Sequence, residues 1–457
     1  MLVSTTPLLA AFAACAARRM SLNNGSVCPT FRLKHASVTD MGMRRANNQD
    51  ALAVMIADDL ATWAERGHLL MVADGMGAHA AGELASKLAV DNIPHLYFKL
   101  RELYPPAALR QAIRDANTAI HTKGQSSIGF QGMGTTCSCL VLLPQGALVA
   151  HIGDSRVYRL RGQVLEQLTF DHSLVWEMAA AGQMSQEDVP AYIPKNVITR
   201  SLGPHSTVHV DLEGPYNAAA GDVFLLCSDG LSGPIADEEL GAILQCLPPE
   251  EAAETLVDLA NLRGGPDNIS VIIVHVDGEV PSRIAPAEIS GPQTPPVDWR
   301  LHAAALWIIA GACVGVLGYC IWHQMWPGAV IMAVALAVAV ASAIAFRASA
   351  LAGCPQVRPL GGPYGNGPYR KAECSPNERV VASLADIAAK LRALPEKDSS
   401  EWTVDWQPFD NQCASAAASA EKGDHADAIR QYCRAIREIM RQLREKRPTV
   451  DGDSSAV

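Results

Sequence analysis

The chain has 457 residues, room for two or three domains, one of them with a sizeable core. A net charge of −10, with no basic cluster in residues 1–300, argues against nucleic acid as a partner. Its twelve cysteines include no C-x-x-C and no zinc spacing, which fits free thiols in a reducing compartment.

Residues 1–31 read as an N-terminal extension. The apolar run "MLVSTTPLLAAFAACAARR" has no charged segment before it, so a signal peptide is not expected. A disordered extension and a start at Met20 both account for it. Residues 32–278 read as one domain rich in both strands and helices. Strand-like apolar runs fall at 68–73, 135–143, 147–152, 223–228 and 269–276. Short turns such as Pro144-Gln145-Gly146 join neighbours, which favours antiparallel pairing. Helical patterns lie between the runs, at 82–93, 105–123, 236–247 and 248–263. The last opens Pro-Pro-Glu-Glu, a first turn suited to the helix dipole.

A proline-rich linker follows at 279–300. Within 301–347, two uncharged apolar stretches, 303–323 and 329–346, each have about the length needed to span a bilayer. A five-residue turn joins them, and Trp307, Trp322 and Trp326 suit the interfaces. Arg300, Arg347, Arg358 and Arg370 flank the pair outside, so both ends are expected in the cytoplasm. A Gly/Pro-rich linker (348–376), a helical tail (377–446) and a disordered C-terminus (447–457) complete the chain. In the tail, 378–394 is amphipathic. Residues 417–446 form a helix–turn–helix pattern hinged at Gly423-Asp424 that weakly resembles one tetratricopeptide unit. A single unit cannot bury its own face, so it must pack on helix 378–394, on another chain or on a partner. Helix 425–445 also carries a basic face, Arg430 to Arg444, suited to an acidic partner or anionic lipid.

Chemistry concentrates in the first domain. "MVADGMGAHAAGE" (71–83) is glycine-rich, but its spacing matches neither the dinucleotide fingerprint nor the phosphate loop. Asp74 instead follows a buried apolar run, as do Asp154 and Asp229, while Asp267 immediately precedes one and Asp50 ends "NNQD". Antiparallel strands set the end of one beside the start of the next, so these carboxylates can share one sheet end. Such a cluster repels itself unless cations relieve it. Oxygen ligands without paired His or Cys point to Mg²⁺ or Mn²⁺. Two such ions about 4 Å apart can acidify a water for attack on phosphorus. Arg45 offers a bidentate fork for phosphate.

The motifs "TDMGMRRANNQD", "VADGMGAHAAGE", "GTTCSCLVL", "HIGDSRVYRL", "LTFDHSLV", "NVITRSLG", "LLCSDGLSG" and "GGPDNISVIIV" occur in order along the first domain. Together they resemble the bacterial branch of the metal-dependent, 2C-type protein phosphatases. The resemblance implies an α+β fold, an α-β-β-α sandwich of two antiparallel sheets flanked by helices. It implies two Mn²⁺ or Mg²⁺ ions and a weaker third. Asp74 would bridge the two, the Gly75 carbonyl would bind one, and Asp229 and Asp267 would complete the other site. Asp50 would hold the metals' waters, Arg45 would take the substrate phosphate, and Asp154 with Asp229 would form the third site. Met76 stands where many animal relatives have a histidine, and Ala78 interrupts the usual bacterial DGMGGH, which leaves water and His79 as candidates for protonating the leaving group. His151 and His172 read as structural. The expected substrates are phosphoserine and phosphothreonine proteins, a serine/threonine kinase among them, at the cytoplasmic face of a bacterial membrane. The alternative is a membrane-anchored adaptor or inactive scaffold acting through the tail.

Overall fold

The structure is a computed structural model that describes residues 32–78, 80–182, 197–277, 360–393 and 405–445. Two antiparallel sheets form its centre. The first contains β1 (Arg32–Asp40), β7 (Arg156–Arg161), β8 (Val164–Gln167), β10 (Val223–Cys227), β11 (Ile269–Asp277) and β12 (Arg370–Glu373), in the order β1-β11-β10-β7-β8-β12. The second contains β2 (Asp50–Met55), β3 (His68–Met76), β5 (Cys137–Leu143), β6 (Gly146–Ile152) and β9 (Asp211–Tyr216), in the order β2-β3-β5-β6-β9, with β4 (Gly134–Thr135) paired to β3.

Both faces of β3, β5, β6, β10 and β11 are covered, which is why these strands read as continuous apolar runs. Successive side chains point to opposite faces. In β10, Phe224 and Leu226 enter the layer between the sheets, while Val223, Leu225 and Cys227 pack outward. In β3, Leu70 and Val72 point inward, and Leu69, Met71 and Ala73 outward. The outer face of the second sheet is covered by α2 (Ala81–Lys99) and α3 (Pro105–Gln125), through Ala85, Ala89, Ile93, Leu109, Ile113 and Ile120. A short α1 (Leu60–Arg66) sits before β3, its first turn capped by the Asp59 side chain. On the first sheet lie α6 (Asp237–Cys246) and α7 (Pro249–Leu262). The acidic first turns of both, Asp237 to Glu239 and Glu250-Glu251, complement their dipoles. The result is the expected α-β-β-α sandwich.

The C-terminal residues belong to the same compact unit as this sandwich. Of the stretch expected as a linker, residues 370–373 form β12, paired antiparallel with β8. Upstream, Tyr364 makes an isolated bridge with Gly214 of β9. Residues 364–373 thus strap the edge of one sheet to the edge of the other. Glu213, 2% exposed, is the fastening point: it accepts from Tyr369 Oη (2.5 Å), Gly367 N (3.1 Å) and Tyr216 Oη (3.3 Å). Cys374 then seats against Gly241 of α6, where even a Cβ would lie 2.4 Å from its sulfur.

Three helices follow: α8 (Glu378–Arg392), capped by Asn377, then α9 (Gln407–Glu421) and α10 (His425–Glu445). The α9–α10 turn falls at Gly423, whose φ of 78° suits glycine. The apolar stripe of α10 (Ala428, Ile429, Cys433, Ile436, Ile439) joins one cluster with α8 and with Leu240, Ile243, Leu256 and Leu259 of α6 and α7. Its basic face meets the acids of α7: Arg434 with Glu251 at 3.0 Å, Arg437 with Glu251 and Glu254 at 3.7 Å, and Arg444 with the fully buried Asp258. The helix–turn–helix therefore covers its face on the first domain and on α8, and its likeness to a tetratricopeptide unit stops at the single turn. The expected membrane hairpin, 303–323 and 329–346, lies outside the described residues. Among those described, no helix is long and apolar enough to cross a membrane.

Candidate active site

The sheet ends bring the predicted carboxylates together. Asp50 opens β2 and pairs in register with Asp74 of β3. Asp229 follows β10 and begins the four-residue helix α5 (Asp229–Ser232). Asp154 occupies the turn between β6 and β7, and Asp267 lies just before β11. The glycines after Asp74 and Asp229 serve close approach. A Cβ on Gly75 would lie 2.2 Å from the Gly82 carbonyl oxygen and 2.5 Å from that of Gln49, and one on Gly230 would lie 2.0 Å from the Asn268 oxygen.

A polar scaffold fixes the cluster. Thr136 Oγ1 accepts from Asp74 N (2.9 Å) and pairs with Ser155 Oγ (2.7 Å), next to Asp154. Ser228 Oγ donates to Asp50 Oδ2 at 2.8 Å and accepts from Ser270 N at 2.9 Å. Asn268 donates to the Met41 and Asn47 carbonyls and accepts from Gln49 N, pinning the loop that presents Arg45 and Asp50. The sequence reading did not single out Asn268, Ser228, Thr136 or Ser155. Adjacency to an aspartate was the signal for Asn268, Ser228 and Ser155, and Thr136 had none. Arg45 Nη2 rests on Asp267 Oδ2 at 2.5 Å, with its side chain half exposed. Buried His151 bonds Ser138 Oγ at 2.9 Å and stacks on His172 with ring centroids 4.9 Å apart. Burial holds the His151 imidazole down at about 3, so it is neutral. His79 lies outside the described residues.

Burial pushes the Asp50 carboxyl up to about 7. The charges of Asp229 and Asp267 add to this, and bonds from Ser228 and Ser270 oppose it. Burial, with Asp229 and Asp171, lifts Asp154 to about 8. Asp74 is raised well above the usual range by burial, then by Asp50, Asp229 and the other carboxylates. Burial and Asp267 also raise Asp229, against a hydrogen bond with Asp74. Oδ1 of Asp50, Asp154 and Asp229 are buried with no hydrogen-bond partner. Among the described residues no group of three or more His, Cys, Asp or Glu side chains is arranged to hold a metal ion by itself. Hard divalent cations do not need such a group, because Mg²⁺ in particular keeps several waters and takes only one or two carboxylates. Orphaned, mutually repelling carboxylate oxygens at one sheet end fit such ions.

This arrangement defines a phosphate-directed hydrolase built on two antiparallel sheets, and comparison with known proteins makes it specific. The protein phosphatase 2C family profile matches residues 43–260. A putative protein phosphatase 2C-type protein of Streptococcus pyogenes is 36% identical over 252 residues, covering 54% of this chain and 99% of that one. Protein phosphatase PhpP of Streptococcus pneumoniae is 37% identical over 251 residues, covering 53% and 97%. A crystal structure of the PstP catalytic domain in complex with two manganese ions is 35% identical, covers 55% of this chain and all of that one, and has a TM-score of 0.46. The chain belongs to the protein phosphatase 2C family. Its activity class is that of a protein-serine/threonine phosphatase.

Proposed function

We propose that the chain hydrolyses phosphoserine and phosphothreonine on proteins by direct attack of water, with two Mn²⁺ or Mg²⁺ ions and a weaker third. The observation that carries this reading is the set of orphaned, buried carboxylate oxygens on Asp50, Asp154 and Asp229. Asp74, the Gly75 carbonyl, Asp229 and Asp267 would hold the main pair, and Asp154 with Asp229 the third. When bound, the ions supply the Lewis acidity that lets water act as nucleophile near neutral pH. Asp50, which accepts from Ser228 Oγ, would hold the metals' waters. Arg45 can swing its half-exposed fork from Asp267 to the substrate phosphate. The manganese in the PstP structure supports the choice of metal. The purified chain should hydrolyse a phosphothreonine peptide with Mn²⁺ and stop in EDTA. Full activity in chelator would end the reading.

The proposal includes tethering to the cytoplasmic face of a bacterial membrane through the hairpin at 303–323 and 329–346. Beyond hydropathy, one structural fact supports it. Residues before 277 and after 360 belong to one compact unit, as a hairpin that returns the chain to the same side of a bilayer would require. Reporter fusions after 290 and 360 should both read cytoplasm, and one at 324–327 exterior. An exterior signal after 360 would refute the hairpin. Substrates would include a serine/threonine kinase. The adaptor alternative is not favoured, because the face it would use is covered by α6, α7 and α8.

A further inference from the structure

We propose that Tyr369, delivered by the C-terminal strap, is a positioning residue for Asp154. The bacterial relatives above cover 53–54% of this chain, and the strap comes from the part that follows the apolar segment. The inference rests on the reading of Asp154 as a metal-holding carboxylate.

Two routes connect Tyr369 to the loop that carries Asp154. The first is aromatic. The Tyr369 ring meets Phe170 edge-on, centroids 5.5 Å apart at 66°. Phe170 in turn meets Trp176 of α4 (Leu174–Ala180) at 5.3 Å and 85°, and tilts against His172 at 6.3 Å. His172 grips Gly153 from both sides: its Nδ1 accepts from Gly153 N (3.0 Å), and its backbone N donates to the Gly153 carbonyl (2.7 Å). Its Nε2 is fixed by Asp211 Oδ2 at 2.8 Å.

The second route is polar. Tyr369 N donates to the Gln167 carbonyl at 2.8 Å. The Gln167 side chain donates to Asp171 Oδ1 (2.8 Å), and Asp171 Oδ2 accepts from Arg156 Nε (2.8 Å). Gly153 and Arg156, the ends of both routes, bracket Asp154. The Oδ1 atom of Asp154 is buried with no hydrogen-bond partner, so no bond to that oxygen aims it, and the clamp fixes the backbone from which the carboxylate projects. The segment from Gln167 to His172 is thus held between the strap and the Asp154 turn. Without the Tyr369 ring, Phe170 loses its outer aromatic contact, while the backbone bond to Gln167 and the β12 pairing remain. The Tyr369 hydroxyl, by contrast, donates to Glu213, which fastens the strap but is not part of the links to the Asp154 turn. The ring and the backbone position therefore carry the effect, and the hydroxyl does not.

The test compares the full detergent-solubilised chain with Tyr369→Ala and Tyr369→Phe. Mn²⁺ binding is measured by equilibrium dialysis, and hydrogen exchange of 153–157 by mass spectrometry. Tyr369→Ala should weaken the weakest class of bound Mn²⁺ about tenfold, the scale typical of residues that orient metal ligands. It should speed exchange in 153–157 and leave the tighter Mn²⁺ sites unchanged. Tyr369→Phe should behave as wild type. If Tyr369→Ala fails to fold, Phe170→Leu removes the ring link while leaving the β12 pairing, and should give the same selective loss. Wild-type Mn²⁺ binding in a folded Tyr369→Ala or Phe170→Leu chain overturns the proposal, as does a wild-type chain with no weak class. A wild-type chain that binds no Mn²⁺ at all would instead overturn the phosphatase mechanism itself.

Discussion

Ile436→Ala tests whether α10 is part of the catalytic unit. Ile436 is fully buried in the cluster shared by α6, α7, α8 and α10. The substitution removes three carbons, and at about 0.8 kcal/mol per buried carbon the transfer loss is about 2.4 kcal/mol. The four helices meeting at this cluster limit collapse into the cavity, so the total should fall within the range of about 2–5 kcal/mol seen for such truncations. The assay is urea unfolding of the solubilised full chain, followed by phosphopeptide hydrolysis and by hydrogen exchange in 237–262 and 425–445. The midpoint should drop for activity and for both segments together, because one core serves them all. A loss of protection confined to 425–445, with activity and 237–262 at wild-type values, would refute the reasoning and make the tail a separate module.

Arg444→Met removes the counterion of fully buried Asp258. Because Arg444 is 44% exposed, the cost should be nearer about 1–2 kcal/mol than the larger figure for a wholly buried pair. Burial holds Asp258 up at about 6, against the pull of Arg444. A raised carboxyl favours the folded state at low pH and loses that contribution as pH rises through about 6. Removing Arg444 raises it further, so the deficit against wild type should grow from pH 5 to 8, read by urea midpoints; a deficit independent of pH would contradict this. Asp74→Asn should abolish measurable turnover in the Mn²⁺ assay, since it removes a charge from the shared centre. Yet it should stabilise the chelated protein at pH 8 by about 1 kcal/mol, because one fewer buried carboxylate must be ionised. Destabilisation in EDTA would count against mutual repulsion as the dominant strain.

The sequence alone determined much of the sandwich and its chemistry, because local rules suffice there. Strands buried on both faces show as unbroken apolar runs such as 223–228 and 269–276, and an aspartate at the end of such a run is placed by the strand itself. That Asp74, Asp154 and Asp229, which end such runs, lie together with Asp267, which precedes one, was therefore legible. Short or amphipathic strands were not. β8 and β12 are four residues each, and "RKAE" carries three charged side chains, so only pairing with β8 makes it a strand. The polar scaffold was hidden too. Thr136, Ser228 and Asn268 are ordinary residues until chain separations of 62, 178 and 219 positions are closed. The apolar and basic faces of α10 were plain in the sequence, but not what covers them. That depended on Glu251, Glu254 and Asp258 lying nearly two hundred residues upstream, and on Gly241 leaving room for Cys374. Periodicity gives each element its faces; only the tertiary fold, through contacts remote in sequence, decides which faces meet.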